Sequence, residues 1–261
     1  MVLHGIANPG PSGAPGFDSQ RRRKIKMVML SNLRKEIKSK FDKERAEHSK
    51  RFFKTGKGEY GEGDVFYGLS VPEMRILVKK YWSLIGPQDV QILLNSEVHE
   101  ERMVGLLILV KKYETNEIAR KLIFDMYMEN YKNINNWDLV DVTAPRIVGS
   151  YLLDKDRRVL YDFARSDNLW KKRIAIVSTF WFIRNNDFKD TLKISEILLN
   201  DKHDLIHKAV GWALREAGKK DLKAEEDFLK KHYRKMPRTM LRYAIEKFEE
   251  GKRLKYLKGM I

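Results

Sequence analysis

RIAIVSTFWF, residues 173–182, opens on a single charged residue and continues as an apolar helix. Three other stretches do the same: RMVGLLILV from Arg102, DLVDVTA from Asp138 and KAVGWAL from Lys208. Their charged first residues recur at spacings of 36, 35 and 35 residues. A period in this range is that of stacked helix pairs, in which no repeat can bury its apolar stripe without its neighbours. The spacing predicts a curved solenoid behaving as one domain, with the repeated charges along one edge of its concave side.

Outward from these stretches the periodicity is helical almost throughout. Apolar residues recur at three- and four-residue steps over 29–54, 71–85, 97–113, 116–133, 138–153, 156–166, 170–184, 190–199, 204–217, 221–233 and 238–248. Turn signals divide them at GPQ 86–88, NNW 135–137, SDN 166–168, NND 185–187 and MPR 236–238. No strand-like alternation is present, so the expected class is all-α. Residues 1–28 begin with a Gly-, Pro- and Ser-rich stretch that reads as a disordered leader or cloning scar, with Met27 or Met29 as native starts. The folded domain is expected over 29–261, with a basic C-terminal end, KRLKYLKGMI, that frays.

Among 261 residues there is no cysteine, which excludes disulfides and thiolate zinc sites and fits a reducing cytoplasm. No apolar run has the roughly 18 residues a membrane span needs. The formal charge is +16, of which residues 1–28 carry +4, so +12 belongs to the folded body. Such a field favours a polyanion, nucleic acid before an anionic membrane. Gly56, Gly58 and Gly61 match GxGxxG, but no strand precedes them, so the segment is expected to be a flexible loop and no dinucleotide site. Ser70 or Val71 ends that loop, and Pro72 falls in a first helical turn. His203 and His207 are spaced as a metal pair but lack a third ligand, so neither metal nor cofactor is expected. His99 and His232 read as surface or capping residues, and the ten methionines as core filler.

The candidate site begins at NNWDLVDVTAPR, residues 135–146. Four residues apart on a helix, Trp137 and Asp141 share a face, whereas Asp138 lies about 100° from Trp137. Pro145 cannot donate to the Asp141 carbonyl, so the helix bends at Asp141 or a new one begins at Pro145. Either places the carboxylate at an irregular point near a cleft. At the same phase of the following repeats stand Lys171, Lys172 and Arg173, then Lys208, Trp212 and Arg215, with Gly211 permitting close approach.

NWDLVD, WKKRIAIVSTF, HKAVGWALRE and YGLSVPEMR, taken in family-like order and spacing over about residues 29–248, resemble the DNA alkylation repair family, the AlkD-like glycosylases. The resemblance implies a superhelix of HEAT-like repeats that excises cationic alkylated purines such as 3-methyladenine and 7-methylguanine from double-stranded DNA in base excision repair, without flipping the base, as a monomer. It implies Asp141 as the catalytic aspartate, Trp137 and Trp212 as the active-site indoles, and Arg173 as a DNA contact, with Lys172, Lys208 and Arg215 beside it. Ser70 is shorter than the polar residue the family often has there, at a place implied to face the opposite strand. The alternative reading is a non-catalytic helical-repeat protein that binds damaged or branched DNA.

Overall fold

The computed structural model describes residues 28–261, and the expected leader lies, but for residue 28, outside them. Within the described residues the chain is helical and has no strand; Val65 and Val98 form an isolated parallel bridge. The helices are α1 (28–39), α2 (Lys43–Phe52), α3 (Val71–Tyr81), α4 (Pro87–Leu94), α5 (His99–Thr115), α6 (Arg120–Glu129) and α7 (Trp137–Ala144). There follow α8 (Ser150–Leu152), α9 (Arg158–Arg165), α10 (Leu169–Ser178), α11 (Phe180–Arg184), α12 (Lys189–Ile197), α13 (Asp204–Gly218), α14 (Leu222–His232), α15 (Arg238–Ala244) and α16 (Glu250–Lys258).

Four of these helices carry the periodic charges, and they form a row. α5 packs on α7, α7 on α10, α10 on α13, and α13 on α15. A second set flanks the row: α4 and α6 lie against α5, α9 against α10, and α12 and α14 against α13. A continuous apolar core runs between them from Leu33 through Leu106, Val140, Ile176 and Val210 to Tyr256. Met74, Met103, Met236 and Met240 belong to it, as expected of core methionines.

Several boundaries differ from the periodic reading. The stretch 29–54 is two helices, separated by a turn at 40–42, where Asp42 accepts the Arg45 amide at 2.9 Å as the α2 cap. GPQ 86–88 starts α4, with Pro87 in its first turn and the Asp89 carboxylate accepting from Gly86 N at 2.9 Å. The C-terminal segment forms α16 rather than fraying, because Tyr256 is buried with its ring edge-on to Tyr233, 5.3 Å away, and to Phe248, 5.7 Å away. Pro145 produces neither of the expected outcomes. α7 stays regular to Ala144 and widens into a π-helical turn, Pro145–Gly149, before α8. A π turn shifts the donor for each carbonyl by one residue, which absorbs the missing proline N–H.

The 53–66 segment is tied down rather than loose. Glu59 and Glu62 accept from the amides of Gly56 and Gly58 at 2.8 Å each, and Gly61 N donates to the Lys54 carbonyl at 2.9 Å. Beyond it, the buried Glu100 carboxylate gathers the amides of Tyr67, Gly68 and Leu69. Ser70 then caps α3, and its N–H and hydroxyl both donate to Glu73 at 2.8 and 2.7 Å.

Gly211 fixes the distance between the last two helices of the row. A Cβ there would collide with the Met240 carbonyl oxygen and lie 2.5 Å from Tyr243 Cβ. We expect Gly211→Ala to force α15 away from α13 and to lower stability by about 1–3 kcal/mol, read as a drop in the urea midpoint at unchanged slope.

Candidate functional site

α7, α10, α13 and the 53–66 segment converge on a cavity of about 570 Å³. Asp141 stands on α7, one turn after Trp137, and both line this cavity, as the shared helix face predicts. Trp212 and Lys208, one turn apart on α13, line it too, with Arg215. Arg173 enters from α10, whose start is fixed by Asn168 accepting the amides of Trp170 and Lys171 at 3.0 Å each.

Asp141 and Arg173 form a two-bonded fork. Nε donates to Oδ1 at 2.9 Å and Nη2 to Oδ2 at 2.7 Å, while Nη1 reaches across to the Leu205 carbonyl on α13 at 2.6 Å. Arg173 is 4% exposed. The resemblance implies a DNA contact for it; its fork and carbonyl bond account for three of the five guanidinium N–H donors. Burial pushes the Asp141 carboxyl above its ordinary value, and the adjacent guanidinium pulls it back. Each carboxylate oxygen keeps a lone pair beyond the one that accepts from the fork.

The indoles form the walls. Trp137 is half-buried and stacks on Phe53, with centroids 5.3 Å apart, and meets Phe52 edge-on at 5.7 Å. Trp212 tilts over Phe180 at 4.3 Å. The rim is cationic: Lys54, Arg173, Lys208 and Arg215 outnumber the carboxylates Asp141 and Asp204. Lys208 is engaged with Asp204 at 2.7 Å, and Arg215 with Glu246. Lys172, expected beside Arg173, instead pairs with Asp201 at 2.7 Å and faces a separate depression at the starts of α10 and α13. Consecutive residues on a helix diverge by about 100°, so the two cannot both enter the cavity.

The repeated charges do not make an exposed edge. Arg102 is buried against Asp64 at 2.7 Å, Asp138 accepts from His99 at 2.8 Å, and Arg173 is in the fork; Lys208 alone of the four stays at the surface. His99 is therefore not a surface or cap residue: it is 2% exposed. His203 does cap α13, its Nδ1 accepting the Leu205 amide at 3.1 Å, and burial lowers its pKa. Among the described residues no three His, Cys, Asp or Glu side chains could together hold a metal ion.

Sequence reading missed Tyr60, Lys54, Phe52, His203 and Tyr243 as cavity residues. Tyr60 meets Trp170 and His203 edge-on at 5.9 and 6.4 Å, and burial raises its pKa. One signal was present: an aromatic residue inside a Gly-rich, acidic segment has no local reason to be there. Lys54 sits at φ 56°, a left-handed conformation that costs a lysine about 1 kcal/mol and that turns the chain out of α2 beside the cavity.

Residues 33–248 match the family described as DNA alkylation repair enzyme. No curated protein matches the sequence significantly. Among solved structures, the fold is similar to a protein described as "Predicted DNA alkylation repair enzyme from Enterococcus faecalis", with TM-score 0.62 and 16% identity, covering 81% of this chain and 98% of that one. No helix among the described residues is long and apolar enough to cross a membrane.

The fork predicts a stability pattern. Arg173→Leu leaves Asp141 buried without its partner and should cost about 3–5 kcal/mol, whereas Arg173→Leu with Asp141→Leu should recover most of that loss. Denaturant unfolding of the two variants measures it.

Proposed function

The chain belongs to the DNA alkylation repair enzyme family, and from that membership and the cavity's geometry we propose that it is a DNA glycosylase that excises 3-methyladenine and 7-methylguanine from duplex DNA. The observation that carries the reading is the Asp141 carboxylate lining one cavity with two indoles and an excess of cations, while the cavity's other carboxylate, Asp204, is taken up by Lys208 at 2.7 Å. A cationic alkylated purine leaves as a neutral base and needs no general acid. What develops at the reacting centre is positive charge on the sugar. The outward lone pairs of Asp141 oppose that charge and hold a water for attack on C1′. A second carboxylate, needed by ordinary glycoside hydrolases, has no task here. The faces of Trp137 and Trp212 bracket the deoxyribose and favour its cationic form through their quadrupoles.

In this reading Arg173 sets the Asp141 oxygens in one plane and offers its remaining N–H groups to a phosphate. Lys208 and Arg215 hold the backbone on either side. The base stays near the stack while the protein grips sugar and phosphate, without flipping. The row of helices corresponds to HEAT-like repeats in a superhelix, and the protein acts as a cytoplasmic monomer. The basic body supplies sequence-independent attraction to DNA.

Release of free 7-methylguanine from methylated duplex tests the reading. Asp141→Asn should lower the rate about 10²-fold or more and keep duplex affinity. Wild-type release by that variant would remove the assignment, and duplex binding with no release by the wild-type protein would leave a non-catalytic DNA-binding repeat protein. Arg173→Ala should weaken duplex binding and make its salt dependence shallower. It should also move the acidic limb of the pH–rate profile upward, because the carboxylate must be ionised and has lost the cation that holds its pKa down. An unmoved limb would show that the fork does not govern the ionisation.

A further inference from the structure

We propose that His99 is a positioning residue for the Trp137 indole, clamping α7 and the Phe53 ring in one arrangement beside the cavity; this rests on reading that cavity as the site of excision. The imidazole has a carboxylate at each nitrogen. Nε2 lies 2.8 Å from Asp138 Oδ2, on the residue that follows Trp137, and Nδ1 lies 3.4 Å from Asp64 Oδ2. Only the doubly protonated ring donates to both. Two rings pack against it as well, Phe66 at 4.6 Å and 23° and Phe53 at 5.1 Å and 30°, themselves stacked 5.1 Å apart. Phe53 in turn stacks on Trp137 at 5.3 Å and 27°. His99 thus reaches the indole along two routes, through the α7 backbone at Asp138 and through the Phe53 ring. Both cross from α5, one to α7 and the other to the residue that follows α2.

The charges facing His99 are Asp64 from the loop, Asp138 from α7 and Arg102 from its own helix, with Arg102 paired to Asp64 at 2.7 Å. With the ring protonated, two cations face two carboxylates. Loss of the proton leaves one buried carboxylate without its match. Burial is the largest influence and opposes the charged ring, but the Asp138 charge and the hydrogen bonds to Asp138 and Asp64 together exceed it, and the pKa is pushed up to about 9. The folded value lies above the ordinary 6.5, so the clamp is complete below about pH 6.5 and is lost as pH rises through 9. Tyr60, which also touches Trp137, titrates above its ordinary value of 10.0 and so does not account for a transition near 9.

The test has one readout without activity and one with it. In the free protein, the Trp137 indole N–H resonance, assigned by its loss in Trp137→Phe, should shift between pH 6 and 10 with a midpoint near 9, and should be flat over that range in His99→Gln. With methylated duplex, kcat for 7-methylguanine release should fall through the same midpoint with KM nearly constant. His99→Gln should have about tenfold lower kcat and no such limb. If His99→Gln does not fold, Phe53→Leu cuts the ring route and keeps both ion pairs, and it should lower kcat at constant KM. An indole signal insensitive to pH, or wild-type kcat in His99→Gln or Phe53→Leu, overturns the proposal. Absence of release by the wild-type protein would instead defeat the glycosylase reading, and the resonance titration would still decide whether His99 sets the indole.

Discussion

The fork between Asp141 and Arg173 is the contact on which the cavity depends. It joins α7 to α10, and through Nη1 and the Leu205 carbonyl it extends to α13. A buried pair of this kind repays its desolvation only when the geometry is good and the remaining donors are used. The geometry is good, with two short parallel bonds, and a third N–H is used on a carbonyl. The pair also fixes the carboxylate's plane, which a side chain with two free torsions would not otherwise keep. His99 with Asp138 does the same between α5 and α7, and Arg102 with Asp64 ties α5 to the loop. Successive helices are therefore registered by buried charge pairs, over and above their apolar contacts.

This arrangement reassigns the periodic charges. A stack of apolar faces tolerates some sliding, because apolar contact has no direction. Ion pairs with two or three bonds do not. The charge that opens each repeat fixes register with a neighbour, and where Lys208 stays at the surface it joins the cavity rim instead. A residue type that looked like a binding surface in the sequence is, at Arg102 and Asp138, an internal fastening.

The segment 53–66 completes the cavity from the opposite end of the chain. Its own glutamates satisfy its amides, Glu100 secures the strand-like stretch after it, and Tyr60 lies among Trp170, His203 and the Trp137 wall. Gly68, at φ 82°, lets the chain pass so close to α2 that a Cβ would lie 2.7 Å from the Asp42 carbonyl oxygen. The cavity is thus built from helices that are neighbours in the packed row and one segment that lies outside it.

Periodicity alone determined that the chain is helical and that its charged helices recur every 35 or 36 residues. It also placed Trp137 with Asp141, and Lys208 with Trp212, because residues four apart share a helix face whatever the surroundings. These are local facts, carried by spacing. What the carboxylate is bonded to was not local: Arg173 is 32 residues away, and the partner of Asp138 is 39 away. Likewise Tyr60 and Lys54 joined the cavity, His99 was buried, Lys172 turned elsewhere and α16 packed down through Tyr256. Only the tertiary structure decided these, because hydrogen bonds and desolvation act over a few ångströms between groups that the linear sequence leaves far apart.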